Sequence, residues 1–134
     1  MTVNADGSFD LTLTDWPQWR NMVFYLPEGT LVAGRTYTLS IQEPYESPTV
    51  SMHVRSLDDN GFGPLNLVSG KSSVTATLGD VCGRPNLTII NENPASTSGS
   101  LRNVRLKLEE GDSPTGWVPP VVSSGGGIAI SSPR

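Results

Sequence analysis

Little in this chain lends itself to redox, metal or histidine chemistry. Its 134 residues include one cysteine, Cys82, and one histidine, His53. A single thiol closes no intrachain disulfide, so the chain is not a small secreted scaffold stapled by bridges. One His and one Cys also fall short of the three or four nitrogen and sulfur ligands that a zinc site takes. No apolar run approaches the roughly 18 residues that span a bilayer as a helix, which argues against membrane insertion. The opening residues, MTVNADGSFD, have no basic region followed by an apolar stretch and do not read as a signal peptide. Positive charge is scarce as well. Nine Lys and Arg stand against thirteen Asp and Glu, for a net charge of −4. Phosphate backbones are held by clustered cations, so nucleic acid is not an expected partner.

What the chain does have is period-two alternation. Phe9, Leu11 and Leu13 alternate with Asp10, Thr12 and Thr14. Similar rows follow at Met22, Phe24 and Leu26, at Tyr37, Leu39 and Ile41, and at Val50, Met52 and Val54. Further short rows lie at Leu65 and Leu67, at Val74, Ala76 and Leu78, at Leu87 and Ile89, and at Val104, Leu106 and Leu108. No window sustains helical spacing. Gly, Pro and Asn break the chain between rows, as at Pro27-Glu28-Gly29 and Asp58-Asp59-Asn60-Gly61. The pattern predicts about eight short antiparallel strands, each with one apolar face, packed as a β-sandwich. Residues 1–120 form the predicted domain, and 93–100 read as a polar loop. Beyond Pro120 the composition turns to Gly and Ser, so 121–134 read as a tail or linker.

Catalytic constellations are hard to assemble. His53 shares its parity with Ser51 and Arg55, which places it on the polar face of a strand as a surface residue. No nucleophile elbow accompanies it. Glu109 and Glu110 are neighbours on a strand and point to opposite faces, so they cannot flank one glycosidic bond. Gly70-Lys71-Ser72 lacks the upstream glycine of a phosphate loop and reads as a polar turn. Cys82 reads as a small buried hydrophobe. Asn86-Leu87-Thr88 matches a glycosylation acceptor, which has no use without a secretory route. The expectation is a non-enzymatic protein with no cofactor.

Two segments carry a family resemblance. Leu101–Pro120, LRNVRLKLEEGDSPTGWVPP, reads as one amphipathic strand, a turn and a Trp-Val-Pro-Pro exit. Asn21–Ile41, NMVFYLPEGTLVAGRTYTLSI, carries an L-x-x-G-x-T-Y-x-L-S run. Both resemble jelly-roll, carbohydrate-binding-module-like domains of bacteriophage virion accessory proteins. The resemblance implies a jelly-roll-like sandwich on a capsid, tail fibre or baseplate. It also implies a virion location, with other virion proteins, copies of itself or host-surface glycans as partners. Modules of this kind often hold a structural calcium, for which Asp58, Asp59 and Asn60 are the oxygen-bearing candidates.

Two functions follow as expectations. In the first, the chain is a virion structural protein, a capsid decoration or minor surface protein that assembles through its tail. Val121, Val122, Ile128 and Ile130 then supply the apolar contacts. The size and the initial Met favour this free-standing reading. In the second, the chain is a glycan-adhesion module of a tail fibre or baseplate, with Trp16, Trp19 and Tyr45 as stacking platforms. Trp117 is expected to pin the last strand to the core. The two readings part on Trp16 and Trp19: an open groove favours sugar, and burial favours assembly.

Overall fold

The computed structural model describes residues 1–55, 64–79 and 85–117. These contain strands and no helix, and every strand pairing is antiparallel. The first sheet is β1 (Thr2–Val3), β2 (Phe9–Trp16) and β9 (Thr97–Val104). The second has the order β10 (Leu106–Glu110), β4 (Thr36–Ile41), β7 (Ser73–Thr77). The third has the order β3 (Asn21–Tyr25), β8 (Asn86–Ile90), β5 (Ser51–Arg55), β6 (Leu65–Leu67). One apolar cluster joins all three, drawing on Leu13 and Leu101, on Leu39 and Leu108, and on Met52, Leu67 and Ile89. The protein is thus an all-β antiparallel sandwich, as the alternation predicts.

Two bulges re-aim side chains that simple parity would misplace. β2 and β9 slip register between Leu13 and Trp16, where Asp15 takes a φ of 47°. They slip again between Phe9 and Leu11, opposite Asn103 with a φ of 51°. Each extra residue has its N–H taken up by a side chain: Asp15 N–H donates to Ser98 Oγ at 2.8 Å, and Asn103 N–H to Asp10 Oδ1 at 2.8 Å. A bulge shifts inward-facing parity by one. Trp16 therefore turns into the core after Leu13, and Val104 after Leu101. The Asn103 N–H also holds the Asp10 carboxyl below its ordinary range.

The Leu101–Glu110 segment is two strands rather than one. β9 pairs with β2, the chain crosses at Arg105, and β10 pairs with β4 in another sheet. Thr97–Ser100, expected in a loop, belongs to β9. At Gly99 an added Cβ would lie 3.3 Å from Pro48 Cδ, so the close approach of the neighbouring loop depends on its missing side chain.

After β10 the chain folds back as a strap, residues 111–117, over the outer side of that sheet. Lys107 and Glu109 lie on the face opposite Leu106 and Leu108, which alternation alone would leave to solvent, yet both are buried. Lys107 Nζ donates to Thr115 Oγ1 at 2.5 Å and to the Gly116 carbonyl at 2.7 Å. Glu109 accepts from the Thr115 hydroxyl at 2.7 Å and from its N–H at 3.2 Å. Lys107 and Glu109 also face each other at 3.8 Å. Burial of this pair is offset because each head has fixed partners. Arg105 completes the clamp. Its guanidinium lies 5.4 Å from the centre of the Trp117 ring and 2.8 Å from Asp6 Oδ2. Trp117, expected to pin the last strand to the core, instead rests against the Arg105 guanidinium in a cation–π contact that holds the strap.

Candidate functional site

The most distinctive surface lies along β3 and the turn before it. β3 ends the four-stranded sheet, and among the described residues it pairs only with β8. Its inward residues Met22 and Phe24 pack on the core, while Asn21, Val23 and Tyr25 face outward. Trp19 is 54% exposed, Val23 39% and Tyr25 60%. Val23 and Tyr25 stand about 7 Å apart on one face, two residues along a strand. The strand NMVFY holds no charge and no proline, the usual devices that keep an edge from pairing. A large outward apolar row on such an edge marks an interaction surface.

The preceding turn, Trp16-Pro17-Gln18-Trp19, sets where the row begins. Trp19 takes a φ of 73°, an unusual conformation for a bulky side chain. It is held there by Asn91. The Trp19 N–H donates to the Asn91 carbonyl at 2.6 Å, and the Asn91 N–H donates to the Arg20 carbonyl at 3.1 Å. The Asn91 side chain is buried and donates to the Trp16 carbonyl at 2.9 Å and the Ala95 carbonyl at 3.0 Å, while accepting from the Asn93 N–H at 2.9 Å. Gln18 Nε2 reaches the Glu92 carbonyl at 3.2 Å. These bonds hold the strained backbone of the turn at Trp19 in place.

Behind the rim, the same face of β5 and β8 carries polar residues that are closed off from water. Asn66, His53, Thr88 and Val23 lie in register across β6, β5, β8 and β3. His53 is fully buried, not on the surface as its parity suggested. Parity identified its face correctly, but that face is not open to water. His53 Nε2 lies 3.1 Å from Glu92 Oε2, and Thr88 Oγ1 donates to Asn86 Oδ1 at 2.7 Å. Asn66 Oδ1 is buried with no hydrogen-bond partner among the described residues. His53 and Thr88 are thus buried on this face, while Val23 at the end of the row is exposed.

The three expected stacking platforms separate. Trp16 is only 6% exposed, turned inward by the Asp15 bulge, with Arg20 5.6 Å over its ring. Tyr45 is also buried; its hydroxyl donates to the Val50 carbonyl at 2.7 Å, and burial pushes its phenol well above the ordinary range. Trp19 alone of the three is outside, in the turn that leads into β3. The tail candidates Val121, Val122, Ile128 and Ile130 lie outside the described residues, as do Cys82 and the Asp58-Asp59-Asn60 turn. Among the described residues, no three His, Cys, Asp or Glu side chains gather closely enough to hold a metal ion. Neither the Trp19–Tyr25 row nor the Asn91 anchor was apparent from alternation. Within β3, odd numbering groups Asn21, Val23 and Tyr25 on one face, but parity does not reach Trp19, which precedes the strand with a positive φ.

The class these features define is an all-β sandwich with one apolar, uncharged edge. Comparison with protein-family models, with curated proteins and with solved structures finds no match.

Proposed function

We propose that the chain is a non-enzymatic structural protein of a bacteriophage virion, a capsid decoration or minor surface protein. In this reading the outward row Trp19, Val23 and Tyr25 packs on a neighbouring subunit, and the tail from Val121 adds a second contact. The observation that carries it is the split among the aromatic residues. Trp16 and Tyr45 are internal, so the ring platforms needed along a glycan are not arrayed on the surface. What remains outside is a short apolar row on an uncharged edge, the composition of the core of a protein–protein patch. The test is incorporation into particles. Val23→Asp with Tyr25→Asp, and separately deletion of 121–134, should each reduce the copies per particle while leaving the sandwich folded by circular dichroism. Wild-type incorporation of both variants defeats the proposal.

Host-surface glycan adhesion is the second reading, and one observation favours it. Trp19 and Tyr25 are two exposed rings with the Asn21 amide between them in sequence. Glycan-array binding that Trp19→Ala abolishes, with incorporation unchanged, would favour this reading over the first.

A further inference from the structure

We propose that two copies of this chain associate through their β3 strands, which pair antiparallel about a two-fold axis at Val23. The proposal rests on the reading of β3 as an assembly surface, and it names what covers that surface.

The direction of the main chain sets the contact. Along β3 the even-numbered positions carry the bonds to β8. The Leu26 N–H donates to the Pro85 carbonyl at 2.8 Å, and the Arg20 carbonyl accepts from the Asn91 N–H at 3.1 Å. Both bonds continue the register of Met22↔Ile89 and Phe24↔Leu87. Hydrogen-bonded pairs alternate along an antiparallel ladder, so the N–H and C=O groups of Asn21, Val23 and Tyr25 point to the open side. Among the described residues no strand lies on that side.

Self-pairing has to join odd residues to odd residues, which leaves axes at Met22, Val23 or Phe24 for a strand of this length. An axis at Met22 sets Tyr25 across from Trp19 of the second copy. Trp19 has a φ of 73°, which is not extended, and its N–H is already donated to the Asn91 carbonyl. An axis at Phe24 sets Asn21 across from Pro27, which has no N–H to give. The axis at Val23 sets Asn21 across from Tyr25 and Val23 across from its own counterpart, all of them strand residues.

The side chains agree with that register. On the inner face Met22 falls across from Phe24 of the second copy, a sulfur–aromatic pairing made twice. Both are partly buried against the core, so each core continues into the other. Charge does not oppose the contact. The strand carries none, and Arg20 falls across from Leu26 rather than from another cation. A two-fold contact of this kind closes at two copies and leaves neither β3 edge open. The paired edges with the exposed side chains of Trp19, Val23 and Tyr25 amount to roughly 1,000 Å² in total, at the low end for a specific interface. The dimer is therefore weak, with a Kd on the order of 10–100 μM.

The test is sedimentation velocity on the full chain from about 1 to 500 μM, a span that brackets this Kd. Wild type should pass from monomer to dimer, and its Val23 amide should exchange more slowly as concentration rises. Val23→Lys and Val23→Glu alter an exposed side chain, so both should keep the wild-type circular dichroism. Each alone should stay monomeric, because like charges then meet at the axis. Mixed in equal amounts they should dimerise to within about tenfold of wild type, because this register sets position 23 against position 23. Deleting 121–134 should leave the dimer intact. The proposal is overturned if wild type stays monomeric, if either charged variant dimerises alone as wild type does, if the mixture stays monomeric, or if the deletion abolishes the dimer. The assembly reading fails separately. A monomeric wild type that still needs Val23 for incorporation loses the dimer and keeps that reading. A wild-type dimer that Val23→Lys disrupts without changing incorporation keeps the dimer and loses that reading.

Discussion

Asn91 holds the turn that presents Trp19, and its removal tests that role directly. Asn91→Ala deletes three side-chain hydrogen bonds, to the Trp16 carbonyl, the Ala95 carbonyl and the Asn93 N–H. Each such bond is worth about 1 kcal/mol net. The bond to Trp16 is buried, so its carbonyl is left without water and adds a desolvation penalty of about 1 kcal/mol or more. The other two are partly buried, and water replaces part of what is lost. The sum is about 3–4 kcal/mol, a large fraction of the roughly 5–15 kcal/mol that holds a domain together. At this chain length it corresponds to a drop of about 10 °C in Tm. Urea unfolding followed by tryptophan fluorescence and by circular dichroism gives the value from the shift in midpoint at constant slope. Asn91→Asp sharpens the test. It keeps the acceptor for Asn93 but sets a carboxylate oxygen against two carbonyls, so it should be destabilised at neutral pH and recover partly in acid. A loss below about 1 kcal/mol for Asn91→Ala would show that the surrounding backbone, rather than this side chain, holds the turn.

Other perturbations address the strap and the packing of β9. The Asp6 carboxyl is lowered from its ordinary 3.8 to about 2, chiefly by the Ser8 hydroxyl and N–H and then by Arg105. Its contribution is therefore present above pH 3.8 and lost as pH falls towards 2. The Tm difference between wild type and Asp6→Asn should shrink across that window and vanish below it; a constant difference refutes the linkage. Lys107→Ala leaves Glu109 buried without its cation, which should cost about 3–5 kcal/mol and loosen residues 112–117 in hydrogen exchange. Gly99→Ala meets both a φ of 150° and Pro48, and should cost about 1–3 kcal/mol in urea unfolding.

Alternation located the strands because a residue facing the core in a sandwich has a simple period of two. Phe9, Leu11 and Leu13, or Tyr37, Leu39 and Ile41, fall where the pattern puts them. It fails where backbone geometry changes the count. Asp15 and Asn103 each insert one residue, and neither is a glycine that would advertise a positive φ. Trp16 therefore reads as a surface ring from its number and is a core residue in the fold. The crossing at Arg105 is hidden for a related reason, since Val104, Leu106 and Leu108 keep one parity while the strand changes sheets. Burial of polar groups is illegible for a different reason. His53, Lys107 and Glu109 sit on faces that alternation labels as wet. Only the tertiary covering, a strap in the case of Lys107 and Glu109, makes them dry. Parity alone groups Val23 with Tyr25, and their exposure becomes legible only once β3 is known to be an edge strand.

The strap also has a mechanical consequence. The chain beyond Trp117 can be pulled only through residues that Arg105, Lys107 and Glu109 hold one after another. A load from that side meets the Trp117 ring first, then Gly116, then Thr115, and reaches β10 only after all three have yielded. Contacts broken in series resist less at any instant than strands sheared together, so the strap acts as a fuse. Stretching the chain through a handle attached after residue 117 should extend a short segment at low force and leave the sandwich whole.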